Sequence, residues 1–245
     1  MSGHSKWSTI KHKKGAADAK RGKVFTKLIK EITVAARMGG GDIDSNPRLR
    51  TTLIKARTAN MPKDNIERAI KKGAGGSEGV EYLELQYEAY APGGVGLLIE
   101  ALTENKNRTA ADVRSVLGKG NGSLAAAGAV SFQFRRKGVI AFDLEQTDFD
   151  KLFEVALEAG AEDVADSGEV YTDPAEFETV LGALEQKNFS WLSAEIEWVA
   201  DNSLALSHED TKKVLNLIER LEDCDDVQSV ACNLEIPKDF DPDSV

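Results

Sequence analysis

Only two cysteines, Cys224 and Cys232, occur in 245 residues. That excludes a disulfide framework, and reduced thiols in a cytoplasmic protein are the plain reading. Their spacing, with no histidine nearby except His208, does not fit a zinc site. Three histidines in all are too few and too scattered for a metal cluster, and none has an acyl-transfer neighbourhood. No apolar run approaches the roughly 18 residues that span a bilayer, so no membrane association is expected. The basic head leads into an amphipathic stretch and lacks the apolar core and small-residue cleavage site of a signal peptide. The glycines at 39–41, 73–76 and 118–122 form neither a P-loop nor a GxGxxG directly after a strand. No cofactor, no metal and no enzymatic activity is therefore expected.

The chain does have charge, and it is segregated. Residues 1–77 carry 18 Lys/Arg against 6 Asp/Glu, residues 78–137 carry 7 against 7, and residues 138–245 carry 6 against 28. The total of −10 thus hides a net of +12 at one end and −22 at the other. A positive excess of that density costs self-repulsion unless something anionic docks on it.

Periodicity divides the chain in the same places. Val24, Phe25, Leu28, Ile29 and Ile32 mark the core face of a helix from Lys20 to about Met38, which GGG at 39–41 stops. Asn46 and Pro47 open a second helix running to about Thr58. A short third helix carries Ile66, Ala69 and Ile70 and ends at KKGAGG. YLELQYEAY and VGLLIEALT read as strands joined by an APGG turn, Thr109–Leu117 as a helix, and AVSFQF as a strand with Val130, Phe132 and Phe134 on one face. From 138 the order is β-α-β-β-α-β, that of a ferredoxin-like split unit. The last helix and strand cannot bury both their faces alone, so they must return to the middle segment. The expected fold class is α+β and multi-domain. It comprises an all-α domain at 1–77, an α/β middle domain at 78–137 plus 205–245, and an inserted acidic ferredoxin-like domain at 138–204.

Phosphate backbones are held by Lys, Arg and helix N-termini. Lys6, Lys11, Lys13, Lys14, Lys20, Arg21, Lys23 and Lys27 are the first candidates for nucleic-acid contact, and Arg48, Arg50, Arg57, Arg68, Lys71 and Lys72 extend the stripe. An intramolecular clamp onto the acidic third domain is the competing use for such charge. A second contact candidate is Asn105, Asn107, Arg108 and Thr109, where a strand hands over to a helix; capping by Asn107 or Thr109 is the alternative. The acidic pairs Asp163 with Asp166, and Asp223, Asp225 and Asp226, read as a solvated face. The third domain, repelled by phosphate, is left to contact solvent, protein or a basic ribosomal surface.

HSKWSTIKHKKGAADAKRGKVFTKLIKEITVAAR, NMPKDNIERAIKKG, YEAYAPGGV, ENKNRTAADVR and LEDCDDVQSVACN together closely resemble the YebC family of probable transcriptional regulatory proteins. The resemblance runs over essentially the whole chain. It implies a cytoplasmic three-domain protein with an inserted third domain, and a DNA-binding regulator of transcription. The alternative it implies is a ribosome-associated translation factor that binds rRNA or tRNA and relieves stalling. The family's basic head falls on Lys6 to Lys30 and its polar motif on Asn105 to Thr109. Charge alone does not separate DNA from the ribosome as partner, and no familiar DNA-reading helix is evident.

Overall fold

The computed structural model describes residues 18–75, 81–237 and 239–241, with side chains from residue 21 onward. Its first three helices are α1 (Asp18–Gly39), α2 (Pro47–Thr58) and α3 (Lys63–Ala74). Asn46 explains the first corner. Its side-chain oxygen accepts from Leu49 N at 3.0 Å, capping α2, and its amide nitrogen donates to Ala35 O and Gly40 O, both at 2.8 Å. One buried amide therefore satisfies orphan groups at the end of one helix and the start of the next. Leu28, Ile32, Ala35, Leu49, Leu53, Ala56, Met61 and Ala69 form the core between these helices. Val24, expected in that core, is 41% exposed. Helix α3 crosses α1 further along, at Thr33 and Ala36 beside Gly73.

Strands β1 (Leu83–Tyr90) and β2 (Gly96–Thr103) pair antiparallel around a tight turn in which Gly93 and Gly94 adopt positive φ. Helix α4 (Lys106–Lys119) follows, then the short strand β3 (Ser123–Leu124). From there β4 (Phe134–Ala141), α5 (Phe149–Glu158), β5 (Asp163–Val164), β6 (Glu169–Thr172), α6 (Phe177–Gln186) and β7 (Ser193–Ala200) follow in turn. The chain closes with β8 (Leu204–Ala205), α7 (His208–Glu222), β9 (Val227–Cys232) and β10 (Leu234–Glu235). The fold is mixed α+β. One four-stranded sheet is ordered β3-β1-β2-β9 and a second β5-β6-β4-β7, and β8 pairs with β10. The returning segment does complete the first sheet, because β9 lies antiparallel to β2 and α7 packs into the core of Leu97, Ile99, Val113 and Leu117. Burying such aliphatic side chains stabilises by about 1.5–3 kcal/mol each before entropy is charged, which is why a lone helix and strand travel back.

Two expectations fail around residue 132. AVSFQF is not a strand; Ser131–Gln133 is a 3-10 turn, and β3 at Ser123–Leu124 takes the place beside β1. The N–H groups of Gly128, Val130 and Ser131 donate to the carboxylate of Glu88 at 2.6, 2.6 and 2.8 Å, so they cannot build a ladder. Phe132 is consequently 68% exposed between buried Val130 and Phe134. The new strand does not start at Gly138 either. Arg135–Lys137 belong to β4, which pairs with β7 from Phe134↔Ala200 to Ala141↔Ser193.

The helical segment is bonded to both sheets. Lys55 Nζ lies 3.0 Å from Glu195 and 3.9 Å from Glu31; burial opposes its charge, but the two carboxylates more than compensate and raise its pKa. Arg50 Nε reaches both oxygens of Glu178 at 3.0 and 2.9 Å. Between the sheets, Glu100 accepts from Trp198 Nε1 and Ser229 Oγ, both at 2.9 Å, while Arg136 lies 5.5 Å over the Trp198 ring.

Candidate nucleic-acid interface

Lys23, Lys27 and Lys30 stand at i, i+4 and i+7 on α1, hence on one face. That face meets the C-terminal end of α7. Lys27 Nζ donates to Glu222 O, Lys23 Nζ to the carbonyl and Oδ1 of Asp223 at 3.3 Å each, and Lys30 Nζ to Asp225 O and Asp226 Oδ1 at 3.0 Å each. A helix C-terminus leaves carbonyls unpaired and carries partial negative charge, so three ammonium groups are well matched to it. An open cleft of about 720 Å³ lies along this contact, lined by the three lysines, Thr26, Arg108, Thr109, Asp112, Cys224, Asp225 and Asp226. Arg21, next along α1, is exposed.

Asp226 is the centre of the cleft wall. Its Oδ1 accepts from Lys30, and its Oδ2 accepts from Thr103 Oγ1 at 3.1 Å, Thr109 Oγ1 at 2.9 Å and Arg108 Nη2 at 2.9 Å. Burial alone would push the carboxyl up. The hydrogen bonds from Arg108, Lys30 and Thr109 overcome that and hold it at about 2, below its ordinary 3.8. Of the three acids read as a solvated face, Asp223 and Asp225 are exposed, although Lys23 pairs with the first and Lys30 takes the carbonyl of the second; Asp226 alone is buried and departs from that expectation. Cys224 beside them has its thiol pKa raised, by burial first and then by Asp112, which disfavours the reactive thiolate.

The two candidate regions of the sequence thus meet in one place, Lys23 and Lys27 from α1 opposite Arg108 and Thr109 from α4. The cap of α4 is Asn105, which accepts from Asn107 N at 3.2 Å and Arg108 N at 3.1 Å. Asn107 and Thr109 lie inside the helix and do not cap it. Thr103 Oγ1 accepts from Asn105 N at 2.9 Å, which holds Asn105 extended and starts the helix earlier than its apolar pattern indicates.

The other predicted cations divide by what they touch. Arg48 is paired with Glu84, Arg50 is clamped to Glu178, and Arg68 bonds Asp64 O at 3.1 Å and the Asn65 side chain. The clamp onto the third segment exists in Arg50 and Lys55, whereas the lysines of α1 hold α7 instead. Arg57, Lys71 and Lys72 are exposed in the last turns of α2 and α3. Lys6, Lys11, Lys13, Lys14 and the side chain of Lys20 lie outside the described residues. Sequence reasoning missed Lys30 and Lys55 as structural cations, because the acceptors that define them lie far along the chain.

Comparison with known proteins follows the same layout. The TACO1/YebC N-terminal domain matches residues 5–76, and the TACO1/YebC second and third domain matches residues 82–234. The chain belongs to the TACO1/YebC family. Among TACO1/YebC relatives, a "Probable transcriptional regulatory protein" of Trichlorobacter lovleyi is 58% identical over 242 residues, covering 98% of both chains. One of the same name from Treponema pallidum subsp. pallidum is 60% identical over 243 residues, covering 98% of this chain and 99% of that one. A crystal structure of a conserved hypothetical protein from Aquifex aeolicus superposes with a TM-score of 0.83 at 46% identity, covering 91% of this chain and 93% of that one. No helix among the described residues is long and apolar enough to cross a membrane.

Proposed function

We propose that this protein is a cytoplasmic, nucleic-acid-binding regulator of gene expression, whose positive N-terminal segment lies on a phosphate backbone. The observation that carries the reading is the net +12 of residues 1–77 in a chain of total charge −10. Among its described members, Arg57, Lys71 and Lys72 project from exposed last turns. Lys23 and Lys27 contribute once phosphate oxygens replace the acceptors on α7. The Lys23–Asp223 pair is about half exposed, and surface pairs of this kind are worth only about 0–1 kcal/mol, so the exchange costs little.

DNA, and hence transcriptional regulation, is the target favoured by the names of the bacterial relatives. A second reading, a translation factor on the ribosome contacting rRNA or tRNA, is favoured by the opposite charge of the two ends, with −22 over residues 138–245. A molecule so divided can touch RNA with one end and basic protein with the other. We assign three units, the helical one, the β3-β1-β2-β9 one completed by the C-terminal segment, and an inserted ferredoxin-like one. The first join of the inserted unit falls within β4.

Crosslinking in cells followed by sequencing of the attached nucleic acid separates the readings. Discrete promoter peaks that survive ribonuclease support the transcriptional reading. Enrichment of rRNA or tRNA without promoters replaces it with the ribosomal one, and no enrichment of either rejects both.

A further inference from the structure

We propose that Phe132 is a stacking platform for one unpaired base of a nucleic-acid strand, a proposal that rests on the nucleic-acid reading above but concerns a separate surface. Its ring is 68% exposed, whereas Val130 and Phe134 on either side are 0% and 2% exposed. The exposure does not come from a loose loop. Glu88, itself only 8% exposed, accepts three backbone N–H groups from Gly128, Val130 and Ser131. Tyr90 Oη donates to Ala129 O at 3.2 Å, and Arg135 Nη1 donates to Phe132 O at 3.0 Å and Phe134 O at 3.2 Å. Bonded on both sides, the turn cannot fold the ring back onto apolar surface. It is held out with its faces available.

The surroundings fit a base better than a protein. Protein docking sites need a contiguous apolar centre with a polar rim. Here the exposed neighbours on the N-terminal side are Ala126, Ala127 and Gly128, which add almost no apolar area. A base needs one π-face and is indifferent to its small neighbours, and stacking on aromatic side chains is how single strands and loops are held. Arg135, next but two along the chain and half exposed, supplies a guanidinium bonded to the Phe132 carbonyl, although Asp201 shares it at 3.2 Å. Residues 78–137 are charge-balanced, so a strand reaching this turn is not repelled as it is by the acidic residues beyond.

The test compares the full-length protein with Phe132→Ala and Phe132→Tyr for binding to a single-stranded RNA, a single-stranded DNA and the corresponding duplex, with thermal melting as the control for folding. Phe132→Ala is expected to weaken single-strand binding about tenfold or more, with Phe132→Tyr near wild type and duplex binding within about twofold. The salt slope stays as in the wild type, because no phosphate contact is removed. The strand that loses affinity identifies the chemistry, RNA or DNA, that the ring serves. Unchanged single-strand binding by Phe132→Ala overturns the proposal, as does an equal loss on single strand and duplex. A variant carrying Arg57→Glu, Lys71→Glu and Lys72→Glu keeps the two readings apart. If it loses binding while Phe132→Ala does not, stacking alone fails; wild-type protein that binds no probe removes the nucleic-acid reading as well.

Discussion

Lys30 Nζ lies 3.0 Å from Asp226 Oδ1, joining residues 196 positions apart. The same carboxylate takes Thr103, Arg108 and Thr109, so one side chain just before β9 ties α1, the end of β2 and the first turn of α4 together. The Lys30 and Asp226 side chains are 16% and 7% exposed, and a pair this dry is costly to break from one side.

Asp226→Asn is accordingly expected to destabilise by about 3 kcal/mol in urea unfolding, since Lys30 loses its carboxylate while its burial remains. Lys30→Met should cost less, because Arg108 and the two threonines still serve Asp226. Equal losses for the two variants would contradict the hub.

The pH dependence has a definite sign. Asp226 has a folded pKa of about 2, below its ordinary 3.8, so its contribution is complete above about pH 4 and is lost as pH falls towards 2. About 2 kcal/mol of stability should disappear over that window. Asp226→Asn should flatten this part of an acid-unfolding curve.

Glu88→Gln leaves the fold intact but loosens the turn around Phe132. An amide has one acceptor oxygen for three N–H donors and adds donors of its own, so a cost of about 2 kcal/mol is expected. Faster amide hydrogen exchange at Gly128, Val130 and Ser131 is the measurement. Glu88 has its pKa lowered: burial works against its charge, and the three N–H groups outweigh burial.

Gly73→Ala tests the packing of α3 on α1. A Cβ there would lie 2.3 Å from Thr33 O and 2.8 Å from the Ala36 side chain, so the two helices must part. A loss of about 1–3 kcal/mol is expected by thermal melting. Gly22→Ala, in α1 with open space around its Cβ, should be neutral or stabilising.

The cations should separate into those that serve nucleic acid alone and those that also hold the fold. Lys71→Gln with Lys72→Gln is expected to leave unfolding within about 0.5 kcal/mol of wild type while lowering nucleic-acid affinity and the salt slope. Lys23→Gln with Lys27→Gln should cost about 1 kcal/mol of stability, through lost contacts to Asp223 and Glu222. Nucleic-acid titration at two salt concentrations, alongside urea unfolding, distinguishes them.

Local chemistry was legible in the residues themselves. The stop of α1 at its glycine run, the Asn46 cap of α2 and the strand character of β1 and β2 depend on neighbours a few positions away. The charge segregation was legible as well, being a property of composition alone. The return of α7 and β9 was also accessible, because two elements with uncovered apolar faces have to find a partner.

What the tertiary structure decided was every assignment that depends on a distant acceptor. Lysines facing solvent and lysines facing a helix end look alike in sequence, and only the arrival of α7 some 200 residues later shows that Lys23, Lys27 and Lys30 are engaged. The pattern at 129–134 is a good strand by its own periodicity, yet one carboxylate on β1 captures the N–H groups a strand would need. Backbone donors go where the strongest acceptor stands, and that is set by long-range folding. The same capture turns Phe132, a core residue by alternation, into the most exposed aromatic ring among the described residues.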